Sequence, residues 1–260
     1  MQAKQPAKSL LLTGSALLLL AAYAMTSADT FSNFQQNPQI AISTGLKGVT
    51  RQDIARVRRE AEKALALIPP FLGIEYTKII EIEIVAAGIC RTTPEDHFIL
   101  LPLWHIRNRK AVVIHEVSHV VAARHEDNSF FSEGLAVFLQ DRFGGDSDGL
   151  THYQEPPNLS LDALIVKYRH RLIPLKSLSL GNEVFAENGA PEQRKLAYLE
   201  AGSFIKYLYE TYGVWRLREL YDSRTLNYDR VYGRSIQELE ADWRNHVFMV
   251  HAAETTGASD

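Results

Sequence analysis

A chain of 260 residues, 46% hydrophobic and 23% charged, with a formal net charge of −3, is long enough to bury one sizeable core or two small lobes sharing a cleft. The mild acidic balance argues against a nucleic-acid partner. A single cysteine, Cys90, excludes internal disulfides, so the core and any bound metal must supply the stability.

At the N-terminus, Lys4 and Lys8 precede an apolar run of 15 residues from Leu10 to Ala24, and small residues occur at Ala22, Ala24, Ser27 and Ala28. Residues 1–28 read as a secretory signal peptide, too short to span a bilayer comfortably, with cleavage expected after Ala24 or Ala28. The mature chain is then exported, to the periplasm or outside the cell, and meets the membrane only through this segment if it stays uncleaved. Its removal leaves 26 basic against 31 acidic residues.

Residues 29–49 are polar and without a period, an extended lead-in. From Thr50, the residues Ile54, Val57, Ala61, Ala64, Leu65 and Ile68 recur at helical spacing behind a threonine cap, and Pro69-Pro70 is expected to end the helix. Ile80, Ile82 and Ile84 alternate with Glu81 and Glu83, the pattern of a strand with one buried face. A second extended run, His97 to Trp104, contains Pro102, which cannot donate to a ladder and predicts an edge strand. Helices are expected near 109–125, 129–142, 160–170, 192–212, 214–223 and 235–250. Residues 144–158 read as a surface loop and 251–260 as a frayed tail. One α+β domain over 50–250, with no internal repeat, accounts for the pattern: a small N-terminal lobe with a short sheet, then a mainly helical lobe.

The chemistry is concentrated in VVIHEVSHVVAARHEDNSFFSEGLAVF, Val112 to Phe138. His115, Glu116 and His119 form an H-E-x-x-H pattern. On a strand the two histidines would lie about 13 Å apart, at roughly 3.3 Å per residue, beyond the reach of one ion with bonds near 2.1 Å. On a helix they stand one turn apart on one face and can converge on Zn²⁺. Because the surrounding residues are apolar nearly all round, that helix must be central and buried. The bland alternative is a buried helix whose histidines merely hydrogen-bond to neighbours, each then needing its own partner.

Two residues compete to be the third ligand. H-E-x-x-H followed six residues on by His125 resembles the metzincin pattern, but the glycine that breaks the helix there is replaced by Ala122, followed by Ala123 and Arg124, all strong helix formers. A continuous helix would carry His125 about 240° round from His119, where it suits a last-turn position. No methionine lies between residues 26 and 248 to make the accompanying Met-turn. Glu133 lies 14 residues beyond His119. The break at EDNS lets a second helix start near Ser129 and present it, and a capping role for it would require an oxygen at Phe130.

This arrangement resembles the gluzincins, in particular the peptidase MA-like domain, in which an E-G-L-A segment follows H-E-x-x-H at about this distance. Residues 196–213 and 235–244 resemble the helices that close such domains. The resemblance implies a zincin-like fold with the active-site helix between the lobes, and Zn²⁺ held by His115, His119 and Glu133. Gluzincins of the thermolysin type also carry an acid four residues after the ligand glutamate; here that position is Val137.

The implied activity is hydrolysis of peptide bonds in peptides or unfolded proteins, by a zinc-activated water with Glu116 as general base. The edge of His97 to Trp104 is the candidate for holding an extended substrate. The resemblance nominates Tyr198 to stabilise the oxyanion, although it shares a helical face with Ala201, Ile205, Leu208 and Tyr212 and suits a core position equally well. The alternative function is an inactive zincin-like domain that keeps zinc as a structural staple and binds a partner in the cell envelope. Weaker features are GGDSDG, which lacks the spaced acids of a calcium loop, and His152, Tyr153 and His170, which near loops usually face solvent.

Overall fold

The computed structural model describes residues 39–109, 111–144, 159–186 and 190–257, with side chains described to 249. The expected signal peptide 1–28, most of the lead-in, the 145–158 segment with His152 and Tyr153, and residues 258–260 of the tail lie outside the described residues. Among those described, no helix is long and apolar enough to cross a membrane.

The molecule is mixed α+β, a four-stranded sheet beside a mainly helical body. The first strand, β1 (Ile40–Ser43), falls within the expected lead-in; it pairs parallel with β2 (Ile80–Val85), Ile40 opposite Ile80. The connection between them is helix α1 (Arg51–Leu72), started by a capping box in which Thr50 and Asp53 satisfy each other's backbone N–H groups. The Pro69-Pro70 pair does not end α1. Both prolines stay inside the last turn and contribute the carbonyls of its cap: Gly73, left-handed at φ 69°, donates to Pro70, and Ile74 to Pro69. This Schellman closure needs acceptors from those residues rather than N–H donors. Arg218 adds its guanidinium to the carbonyls of Pro70 and Phe71.

Strand order is β1-β2-β4-β3, with β3 at Arg91–Thr93 and β4 at Phe98–Pro102. The expectation of an edge strand at Pro102 is therefore corrected: β4 is interior, parallel to β2 and antiparallel to β3. Pro102 is tolerated because β3 reaches only Leu100, so the side where its missing N–H would matter carries no ladder. The edge strand beside β4 is β3.

Residues Leu103–Asn108 form a short helix, α2, where the extended run was expected to continue to Trp104. The chain then turns through Ala111, a non-glycine residue at φ 45°, into α3 (Val112–Val121). Every residue of α3 is buried, as an all-round apolar helix requires. Its first turn is capped from another element: Val113 N–H donates to the carboxylate of Glu60 on α1, an anion placed at the positive end of the helix.

The expected helix over 109–125 is thus shorter at both ends. After Val121 the backbone leaves helical angles at Ala122, and Ala123–His125 make one 3-10 turn.

Helix α4 (Ser129–Gly144) follows, its first turn capped by Asn128 Oδ1 accepting from Phe131 N–H. Then come α5 (Leu161–Lys167), α6 (Leu175–Leu180), α7 (Pro191–Asp222), α8 (Tyr228–Tyr232) and α9 (Ile236–Gly257). The two helices expected over 192–223 are joined across a kink at Gly213, φ 79°. The last helix runs seven residues beyond the expected 250. Helix α3 lies between the sheet with α1 on one side and α4 on the other, and α4 packs along α7. The core is continuous across these layers, from Ile82 and Leu101 through Val117 and Phe130 to Phe204 and Trp243.

Candidate metal centre

His115 and His119, one turn apart on α3, and Glu133, in the opening turns of α4, bring one ligand atom each within 4.8 Å of one another. The inner contacts are closer. His115 Nε2 and His119 Nε2 are 3.2 Å apart, and Glu133 Oε2 lies 3.2 Å from the first and 3.3 Å from the second. Donor atoms of a tetrahedral zinc site, at bonds of about 2.0–2.1 Å, are separated by about 3.3 Å. The triangle has the dimensions of one face of that tetrahedron.

Its chemistry fits a cation as well as its dimensions do. Glu133 Oε2 is buried with no hydrogen bond aligned on it, despite its closeness to both imidazoles. The contact distances describe proximity, and the orphaned lone pair is the sharper observation, because a buried carboxylate oxygen without a donor is costly. Burial alone would raise the pKa of Glu133, but His119 and His115 overcome it and hold the carboxyl well below the usual range. Burial likewise opposes charge on His119, yet Glu133 and Glu126 hold its pKa well above the usual histidine value. The pair can hold a proton or a divalent cation in the same place, and the two compete.

Both imidazoles are oriented from behind. His115 Nδ1 lies 3.2 Å from Gln140 Oε1, so its N–H donates to the amide oxygen and its Nε2 lone pair faces the cluster. His119 Nδ1 lies 3.0 Å from Ser132 Oγ and 3.2 Å from Glu126 Oε1, and the serine hydroxyl donates to that same carboxylate at 2.8 Å. Val137, where an orienting acid occurs in the thermolysin type, is fully buried among apolar residues. Gln140 replaces it from seven residues beyond Glu133, two turns along the same face of α4. A polar residue there, after LAVFL, was a readable signal.

Glu116, buried at 7% exposure, does not join the triangle. Its Oε2 accepts a 2.7 Å hydrogen bond from Thr92 Oγ1 on β3. Thr92 could not be found from sequence, since Arg-Thr-Thr has no apolar pattern to mark a strand.

His125 is excluded from the cluster, though for a different reason than expected. The helix ends before reaching it, and the 3-10 turn buries its ring against Phe131 and Tyr221, with Nε2 2.6 Å from the Tyr221 carbonyl oxygen. Tyr198, on α7, stacks on His115 at 6.4 Å with 17° between the rings, and it lines the same cleft. His170 is exposed and lies away from this cleft.

The cleft over the triangle measures about 410 Å³. Besides the cluster and Glu116 it is lined by Cys90, Thr92, His105, Arg109, Phe185 and Tyr198, among others. Burial, then the nearby Glu116 carboxylate, pushes the Cys90 thiol far up, leaving it neutral and 2.9 Å from His105 Nδ1. Burial, with help from Arg109, lowers the His105 pKa to about 4.

No known protein-family description, no characterised protein and no solved structure matches the chain. What the fold and site define is therefore a class by chemistry: an α+β protein with a buried His-His-Glu cluster able to hold a metal ion, at the floor of an open cleft.

Proposed function

We propose that the chain is a zinc-dependent metallopeptidase of gluzincin type with a zincin-like, peptidase MA-like fold, exported from the cell and acting on peptides or unfolded protein. The observation that carries the reading is the orphaned Glu133 oxygen set 3.2–3.3 Å from two imidazole nitrogens, with a separate carboxylate, Glu116, in the same cleft. Export rests on the lysines and the apolar run between Leu10 and Ala24.

His115, His119 and Glu133 would hold the ion, three protein donors leaving a fourth position open to the cleft, as in catalytic rather than structural sites. Bound there, Zn²⁺ would supply Lewis acidity to water and to a substrate carbonyl. Glu116 takes the proton of the attacking water and passes it to the leaving amine. Thr92 fixes the Glu116 carboxylate by donating to Oε2, and that carboxylate is the group that would take the proton. Tyr198, which lines the cleft from α7, would donate its hydroxyl to the oxyanion. The extended substrate is assigned to β3, in place of the His97 to Trp104 run, because among the described residues β3 is the outer strand beside β4 and its Thr92 reaches the base.

The test is turnover of a peptide library by the zinc-loaded chain. Hydrolysis that Glu116→Gln abolishes while zinc is retained supports the reading; a zinc-loaded wild type that cleaves no peptide overturns it.

A further inference from the structure

The acids of the cleft are committed. Glu133 faces the two imidazoles, Glu126 accepts from Ser132 and His119, and Glu116 accepts from Thr92. One cation on the cleft wall is not matched in the same way. Arg109 lines the cleft half-buried, and among the described residues no carboxylate pairs with it.

Its position is fixed from the backbone outward. Arg109 N–H closes the end of α2 on the His105 carbonyl at 2.9 Å, Arg56 donates to the Arg109 carbonyl, and the guanidinium carbon stands 5.9 Å from the centre of the Trp104 ring. Two residues later, the left-handed, fully buried Ala111 turns the chain into the histidine helix. The mount of Arg109 and the start of α3 are thus one piece of backbone. The positive charge is felt at both Cys90 and His105, and Cys90 also feels the negative charge of Glu116. Cys90, Arg109 and Glu116 all line the same cleft.

A guanidinium is a planar fork of donors that matches a carboxylate two bonds at a time. Held in a partly buried cleft, it attracts an anion more strongly than it would in open solvent. Two further cations, Arg194 and Lys195, line the wall built by the start of α7.

We infer that Arg109 forms a carboxylate-recognising subsite, so that the substrates are peptides carrying an acidic side chain or a free C-terminal carboxylate next to the bond attacked. The identification of the ligand as a peptide rests on the peptidase reading; the preference for a carboxylate rests on Arg109 itself.

The test uses fluorescein-labelled peptides that differ only in Glu or Gln at one position, each made with a C-terminal acid or amide. They are titrated by anisotropy into the full chain carrying Glu116→Gln, with and without added Zn²⁺. The expected result is at least tenfold tighter binding of the carboxylate member of one pair, in zinc-loaded and zinc-free protein alike. The Glu/Gln pair and the acid/amide pair separate a side-chain source from a C-terminal one. Arg109→Gln should erase the preference, Arg109→Lys should keep part of it, and Arg109→Glu should reverse it in favour of a Lys-containing peptide. Equal binding within both pairs, a preference that survives Arg109→Gln, or one present only with zinc would overturn the subsite. Turnover of the same peptides by the wild type is scored separately. Preference without turnover defeats the peptidase reading and keeps the subsite, and turnover without preference does the reverse.

Discussion

Gly134 lies against the backbone of Ala201: a Cβ added at 134 would fall 2.8 Å from the Ala201 carbonyl oxygen. This is a close contact between α4 and α7, and it directly follows Glu133 in sequence. On the other side of the crossing, a Cβ at Gly202 would overlap the Val137 side chain. Two glycines thus let the helices touch at backbone distance, and that contact sets how far Glu133 projects toward α3.

Gly134→Ala should therefore destabilise the protein by about 1–3 kcal/mol, the usual cost of overpacking, although in an exposed helix the same change stabilises by about 1 kcal/mol. It should also weaken zinc binding by moving Glu133. Denaturant unfolding of the zinc-free protein, together with a competitive zinc titration, reads both effects. Unchanged stability would show that α4 can shift without loss.

The partners behind the imidazoles make a separate prediction. Gln140→Leu removes the acceptor of His115 Nδ1, and Ser132→Ala removes one partner of His119 Nδ1 while Glu126 remains. Loss of such a partner typically lowers metal affinity about 10- to 100-fold. The leucine variant should fall in that range and the alanine variant at its lower end. Affinity measured against a fluorescent zinc chelator checks the order.

Thr92 reaches only Glu116 within the site, so Thr92→Val should leave zinc affinity intact and lower kcat. The loss should be about tenfold, a share of the 10²–10⁴-fold a general base supplies. If zinc affinity falls in parallel with kcat, the threonine supports the fold of the site rather than the base.

Much of this site was legible in the sequence, and the reason is its periodicity. His115 and His119 had to share a helix face to share an ion, and Glu133 stood at a helix start where no capping partner could explain it. Gln140 lay on the same face, readable in principle as a polar residue in an apolar run. Thr92 and Arg109 were not readable in that way. Strand β3 is held by its ladder to β4 rather than by apolar alternation, and Arg109 lines the cleft from the end of a short helix, beside a left-handed turn at Ala111, that no apolar period marks. The early end of α3 shows a local preference overridden by packing: Ala122 to Arg124 favour helix, yet burying His125 against Tyr221 and Phe131 takes the chain out of it. The β4 edge expectation failed because Pro102 limits only the one position where its N–H would be needed, and β3 stops short of it.

Stability should depend on pH through Glu200, which is fully buried on α7 with one oxygen accepting from Ile173 N–H and the other unpaired. Burial raises its pKa from 4.5 to about 8. Below pH 4.5 the carboxyl is protonated folded or unfolded and contributes no difference. Between 4.5 and about 8 the unfolded chain ionises first, so its share of stability falls as pH rises, by up to a few kcal/mol at about 1.4 kcal/mol per unit. Glu200→Gln should remove that decline, gaining most over the wild type at pH 8 and least at pH 4. Unfolding midpoints across that interval, with parallel slopes for the two proteins, would contradict it.

The metal centre is tested most directly by zinc stoichiometry, measured on the purified chain and on two variants, Glu133→Ala and His125→Ala. The expected result is one tightly held zinc per chain in the wild type and in His125→Ala, and loss of tight binding in Glu133→Ala. Full zinc in Glu133→Ala with loss in His125→Ala would contradict the assignment of the third ligand, and no tight zinc in the wild type would contradict the metal centre itself.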